Sequence, residues 1–305
     1  MKNSVPLVIN SIADYNRTLG LPQPAHPLIS VIDLICSREI PSLPEHKLIN
    51  NFYSIFLKKN INGELGYGRK YYDFSNGIMG FSAPNQVFTI NKLIDTSKIT
   101  GWMLLIHPDF IRKYPLMKRI AEYGFFAYEM SEALHLSEKE ERVIERIIDD
   151  IRMEYEQPID AFSQDVIVSH IEVLLNYANR FYNRQFITRR SSEQEPVARF
   201  EELLIQIFNE GHLGHLPTVT EMADKLNVSP HYLSDMLRSL TGLNAQQHIH
   251  NQLIEKAKEI LMTTSLSINE TAFKLGFEYP QYFNRLFKSK TGVTPAAFRK
   301  EVSEN

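Results

Sequence analysis

Glu221-Met222-Ala223-Asp224-Lys225-Leu226 and Glu270-Thr271-Ala272-Phe273-Lys274-Leu275 are two copies of one pattern. The likeness runs on: Pro230, Tyr232, Ser239, Thr241 and Gly242 return as Pro280, Tyr282, Ser289, Thr291 and Gly292, the offset growing from 49 to 50 through one extra residue near Tyr279. Self-similarity of this length marks an internal duplication, so both copies should fold alike.

Each copy spells the same local structure. Thr218 and Glu221 form a capping box, Val219, Met222, Ala223 and Leu226 make one apolar face, and Asn227 tolerates the left-handed turn that follows. Ser229 then caps a second helix with Pro230 at its first position; Leu233, Met236, Leu237 and Leu240 form the buried stripe and Gly242 stops it. The second copy uses Ser267 and Glu270 as the box, Ile268, Ala272 and Leu275 inside, Gly276 at the turn, and Phe283, Leu286 and Phe287 on the stripe. Ala223 and Ala272 are small where two crossing helices come close. The reading is helix, short turn, helix, twice, with second helices over 230–241 and 280–291.

Between the copies, residues 245–263 read as one helix with Ile249, Leu253, Ile254, Ala257, Ile260 and Leu261 on its apolar side. At about 1.5 Å per residue such a helix spans roughly 28 Å, near the ~34 Å that separates successive major-groove segments of B-DNA. One chain could do what a helix-turn-helix dimer does. Residues 271–300 hold Lys274, Arg285, Lys288, Lys290, Arg299 and Lys300 against Glu278 alone, whereas 197–270 are net negative. The second unit should therefore carry the phosphate attraction and the first more of the selectivity.

Upstream, Thr188 to Pro196 is polar and charged without apolar periodicity, which sets a linker over 188–196 between domains at 1–187 and 197–305. Ser137 and Glu140 cap an amphipathic helix carrying Val143, Ile144, Ile147, Ile148, Ile151 and Tyr155. After Pro158 a second helix follows with Val166, Ile167, His170, Ile171, Leu174, Tyr177, Ala178 and Phe181 as its stripe. This hairpin either covers a sheet or makes a homodimer; sequence leaves both open. Before residue 110 the text is short runs between turn residues, among them 28–34 and 50–57. Gly63, Gly66, Gly68, Gly77, Gly80 and Pro84-Asn85 supply turns, and Asn76-Gly77 signals a hairpin. The expectation is an antiparallel sandwich or barrel.

The chain has 305 residues, a net charge of −3, and one cysteine, Cys36, expected to be a small core residue. The absence of a signal-like start and of any long apolar run points to a soluble cytoplasmic protein without a membrane partner. His26, His46, His107 and His135 form no metal cluster, His248 and His250 point to different helix faces, and His212 and His215 read as structural. No phosphate loop or nucleophile elbow is present. The expectation is no enzyme and no cofactor.

Ile268, Ala272, Gly276-Phe277, Tyr282-Phe283, Arg285, Phe287-Lys288, Gly292, Thr294-Pro295 and Phe298-Arg299 resemble the second unit of the AraC/XylS family of bacterial transcription regulators, and the likeness covers about 200–300. The resemblance implies double-stranded promoter DNA as partner. It also implies that the second helix of each unit enters the major groove with His231, Ser234, Asp235 and Arg238, then Gln281, Asn284, Arg285 and Lys288, facing outward. Arg285 is the first choice for base reading; Lys288 and Arg238 are expected on phosphate. Asp235 departs from the family's common Arg, which puts a cytosine amino contact, or none, in place of a guanine contact. Tyr279 departs from the usual small polar cap.

Gly66-Tyr67-Gly68-Arg69, residues 81–87, Gly101-Trp102 and residues 107–110 resemble the cupin-type N-terminal domain of such regulators over about 25–135. The fold class expected is thus α+β in two domains: an N-terminal antiparallel β-barrel (cupin-like) with a helical hairpin, and a C-terminal all-α domain of two helix-turn-helix units joined by a long helix. The resemblance further implies activation as the commoner mode, a small-molecule effector, an RNA polymerase contact and a homodimer. The rival readings are a helical protein-interaction module and a cupin-type enzyme.

Overall fold

The computed structural model describes residues 7–34, 47–59, 77–89, 99–158, 160–189, 196–209 and 214–303. The chain divides into two compact units, Met1–Gln185 and Phe186–Asn305.

In the first unit, β1 (Leu7–Ile9), β2 (Ile29–Asp33), β3 (Lys47–Asn50), β4 (Tyr53–Lys59), β5 (Ile78–Ser82), β6 (Val87–Thr89), β7 (Thr100–Ile106) and β8 (Leu134–His135) make two sheets, and helix α1 (Ile12–Thr18) follows β1. Their orders are β1-β3-β6 and β2-β7-β4-β5-β8. Among the described residues neither sheet closes on itself, so the expected cupin-like barrel is not what these residues form. The pairing is not purely antiparallel either, because β1 runs parallel to β3.

The physical reason lies in the burial of the five-stranded sheet. A barrel wall alternates inward and outward residues, yet every residue of β5 is buried, as are Ile55, Phe56 and Leu57 of β4. Both faces are covered. Met103 and Leu105 of β7 and Ile32 of β2 pack into a cluster with Ile9, Ile12, Tyr15, Leu48 and Phe52 from the small sheet and α1. On the other face Phe81 meets Phe125 and Tyr182, and Lys59 pairs with Glu141 and Glu145. These two carboxylates belong to α4 (Glu138–Glu156), Tyr182 to α5 (Ser163–Arg189). Helices sit where a barrel would need more strand.

Two local expectations change with this. The run 50–57 is not one strand: β3 ends at Asn50, and β4 starts at Tyr53 in the other sheet, with Phe52 buried edge-on against Tyr15 at the corner. Gly80 makes no turn but lies in mid-strand opposite Phe56, whose ring would stand 2.3 Å from an added Cβ. Pro84-Asn85 does turn, with Asn85 at φ 67°. Asn76, Gly63, Gly66, Gly68, the 66–69 motif, Cys36 and His46 lie outside the described residues.

The capping box at Ser137 and Glu140 forms as read, and Arg184 of α5 grips the Glu140 carboxylate with two nitrogens, at 3.0 and 2.7 Å. Val166 is exposed, contrary to the expected stripe. Val168, Leu175 and Tyr182, spaced by sevens, widen the buried side of α5 and turn Val166 outward. Thr188 and Arg189 are the last residues of α5 and Pro196 the first of the next helix.

Among its described residues the second unit has helices and no strand: α6 (Pro196–Asn209), α7 (Val219–Leu226), α8 (Pro230–Thr241), α9 (Ala245–Thr263), α10 (Ile268–Lys274), α11 (Pro280–Thr291) and α12 (Pro295–Ser303). In the first unit the short helices α2 (Pro108–Ile111) and α3 (Leu116–Arg119) lie between β7 and β8. α9 occupies the span read from sequence and buries Ala245, Ile249, Leu253, Ile254, Ala257, Ile260 and Leu261. Helices α6, α8, α10, α11 and α12 all pack on it.

Gly276, at φ +84°, closes α10 in a left-handed turn pressed on the backbone before α7: an added Cβ would stand 2.6 Å from the His215 carbonyl carbon. Gly292 has the same φ and open space around it. Gly292→Ala should therefore cost only the left-handed strain of about 1–2 kcal/mol. Gly276→Ala adds a backbone collision and should cost about 1–3 kcal/mol more. Urea unfolding of the full chain measures both; equal midpoints would refute the close approach.

Candidate nucleic-acid interface

Each helix-turn-helix is set by local chemistry. In the first, the Glu221 carboxylate accepts from the Thr218 backbone N–H at 2.8 Å while the Thr218 hydroxyl accepts from Glu221 N–H at 3.2 Å. Asn227 adopts the left-handed conformation (φ 56°, ψ 47°) and ends α7. Ser229 accepts from the Tyr232 N–H at 3.2 Å, Pro230 takes the first helical position and Gly242 ends α8. In the second, Ser267 and Glu270 repeat the box at 2.7 and 3.2 Å, Gly276 makes the turn, Pro280 starts α11 and Gly292 ends it.

The inner side of α8 buries Tyr232, Leu233, Met236 and Leu237; that of α11 buries Phe283 and Phe287. Leu240 and Leu286, expected on the stripes, are half-buried at their edges. On the outer side His231, Arg238, Gln281, Arg285 and Lys288 are exposed, and Ser234, Asp235 and Asn284 half-exposed. No predicted site residue is buried. Arg238 lies 3.5 Å from Asp235 one turn before it. Lys290 instead donates to Asn251 of α9 at 3.1 Å, and Arg299 to the Leu261 carbonyl at 3.3 Å, so two of the cations counted in the second unit brace it.

Three features escaped the sequence reading. Asn244 and Gln247 make a third capping box in this unit, at the start of α9, signalled by the same three-residue spacing as the others. His215 bonds the capping carboxylate of Glu221. Tyr279 and Tyr282 stand 49% and 57% exposed, edge to face at 5.9 Å, beside the start of α11. Tyr279 supplies no side-chain cap. Its counterpart Ser229 is a buried cap and Tyr232 is buried too, so the extra residue near Tyr279 marks where the copies part.

Four of the described histidines have structural occupations. His26 accepts from Leu28 N–H at 3.0 Å, His107 from Asp109 N–H at 3.3 Å, His248 bonds Thr241 and His250 bonds Gln246, both at 2.8 Å. Among the described residues no group of three or more His, Cys, Asp or Glu is placed to hold a metal, and no helix is long and apolar enough to cross a membrane. His212 lies outside them.

Known proteins resemble this unit. Residues 222–301 match a family described as "Helix-turn-helix domain". Over these residues the C-terminal unit is similar to that family. The uncharacterized HTH-type transcriptional regulator YfiF of Bacillus subtilis is 29% identical over 153 residues, 47% of this chain and 45% of that protein. The arabinose operon regulatory protein of Escherichia coli is 33% identical over 86 residues, 28% of this chain and 30% of that one. The chain thus spans less than half the length of either relative. The C-terminal domain of the response regulator yesN from Fusobacterium nucleatum is 34% identical, covering 32% of this chain and 96% of that one with a TM-score of 0.29. The AraC/XylS resemblance holds for the double helix-turn-helix; its cupin half is overturned by the two open sheets.

The frame of this domain should lose stability in acid. Burial holds His248 and His250 below the ordinary 6.5, Glu201 opposing the effect at His248 and Lys290 adding to it at His250. The unfolded chain takes up these protons first, so their contribution is full above 6.5 and is lost as pH falls below it. Glu221 and Glu270 are held below 4.5, Glu221 by the Thr218 N–H and then His215, Glu270 by the Ser267 hydroxyl and N–H. Their contribution is present above 4.5 and disappears as pH falls through the folded values. Melting temperature against pH should fall in two stages. The double change His248→Gln with His250→Gln should flatten the upper stage and Glu221→Gln the lower; unchanged slopes would refute the assignment.

Proposed function

We propose that this chain is a sequence-specific DNA-binding transcription regulator whose α8 and α11 read successive major-groove segments. The observation that carries this is the pairing of faces: each helix buries an apolar stripe against a common frame and turns a hydrogen-bonding row outward, the second row holding Arg285 and Lys288. A guanidinium bonds guanine O6 and N7 together, whereas an ammonium suits phosphate as a point charge. Activation, as the commoner mode of the resembling family, is the direction of regulation proposed. The helical row facing solvent could also take a protein partner, but its cationic residues match a polyanion better than a protein surface.

For the first unit we infer a role in pairing copies of the chain. Met153 of α4, and Phe162, Val166 and Val173 on or just before α5, leave large apolar side chains in solvent, which suits a second copy. Sedimentation of the full chain at micromolar concentration should show a dimer that Phe162→Glu with Val173→Glu dissociates; a monomeric wild type would refute the pairing.

Gel shifts on promoter fragments at two salt concentrations test the main reading, binding being expected to weaken steeply with salt. Arg285→Ala should cost about 1–3 kcal/mol at the true site and flatten discrimination at one base pair. Lys288→Ala should weaken good and poor sites alike and lower the salt slope by roughly one unit. Exchanged outcomes would reverse the two roles. Both side chains lie off the Phe283 and Phe287 stripe, so thermal melts should stay unchanged.

A further inference from the structure

α8 and α11 are copies of one helix, so their outward residues compare position by position. His231, Ser234, Asp235 and Arg238 stand where Gln281, Asn284, Arg285 and Lys288 stand. Three exchanges keep a polar or cationic group. The fourth reverses charge: Asp235 occupies the place of Arg285. Its carboxylate lies 3.5 Å from the Arg238 guanidinium, the two side chains 29% and 59% exposed.

Exposed pairs of this kind contribute little to stability, so the pair alone gives no reason for an acid on a face turned to a polyanion. An isolated carboxylate there would repel phosphate and lose its hydration in a groove without return. A carboxylate held beside a guanidinium is different. It offers acceptor and donor side by side, since a carboxylate only accepts and a guanidinium only donates.

The geometry points to Asp235 and Arg238 as a joint reader of a C·G base pair, an inference that rests on the duplex-binding reading above. In the major groove cytosine presents the N4 amino donor, and its partner guanine presents the O6 and N7 acceptors. Asp235 takes the first and Arg238 the second. Adenine N6 also donates, but the N7 acceptor beside it faces the carboxylate with like partial charge. Arg238 thereby moves from the phosphate role to a base-reading one. A duplex without the amino donor leaves the carboxylate desolvated and unmatched, so the first unit works by rejection. The second, with Arg285 in the same place and the surplus of cations, works by attraction.

Selection from randomised duplexes with the full chain tests this. Wild type should enrich C·G at one position in the half read by the first unit. Asp235→Asn, nearly isosteric, should change that position to A·T, because an amide bonds adenine N6 and N7 together. Asp235→Ala should lose the preference and bind the best wild-type duplex roughly 5- to 150-fold less well. Arg238→Ala should relax the same position. An unchanged consensus with Asp235→Ala and Asp235→Asn overturns the assignment, and a uniform loss on all duplexes with Arg238→Ala overturns the joint role. If the wild type enriches no duplex, the duplex-binding reading itself falls.

Discussion

The second unit depends on one shared apolar surface, the buried side of α9. Leu253, Ile254 and Ala257 lie at its middle, Ala245 and Ile249 toward the first helix-turn-helix, and Ile260 and Leu261 toward the second. Because α8, α10 and α11 all rest on this helix, neither outward row can shift without disturbing a core that the other uses. Interiors are packed too densely to absorb such movement gradually. The Asn244 and Gln247 box fixes where α9 begins, and the Arg299 bond to the Leu261 carbonyl ties its far end to α12.

On that common support the two copies have diverged. The first keeps a serine cap and a buried tyrosine; the second gives up the cap, a change worth about 1 kcal/mol, and shows two tyrosines to solvent. Aromatic packing offsets the loss: Phe277, Phe283, Phe287 and Phe298 meet in succession at 5.4 to 5.7 Å between ring centres. Large rings bury much area per residue. A helix start weaker by one hydrogen bond is tolerated when its first turn is anchored by Phe283 from below.

The second unit was legible because its signals are local. Caps, left-handed Asn227 and Gly292, proline at a first position and three- to four-residue periodicity each act within a single turn of chain, and the span of α9 followed from the last of these. Outward placement of Arg285 and Lys288 was implied by the AraC/XylS resemblance, and both side chains are exposed, off the Phe283 and Phe287 stripe. The first unit was harder. Gly80 reads as a turn until Phe56 is placed across from it, and residues 50–57 read as one strand until Phe52 is seen to fill the space beside Tyr15. Which sheet a strand joins is decided by partners dozens of residues away. The tyrosine pair was hidden for another reason: Tyr282 adjoins the buried Phe283, and only the packing of α11 tells which of the two points in.

Duplication within one chain also fixes a sense of travel. Dimers of single helix-turn-helix units have a two-fold axis and match palindromes. Here one copy precedes α9 in the chain and the other follows it, and their outward rows differ in charge. The surface has a front and a back. Any duplex that fits it does so in one orientation, and the same bases in inverted order are a different ligand.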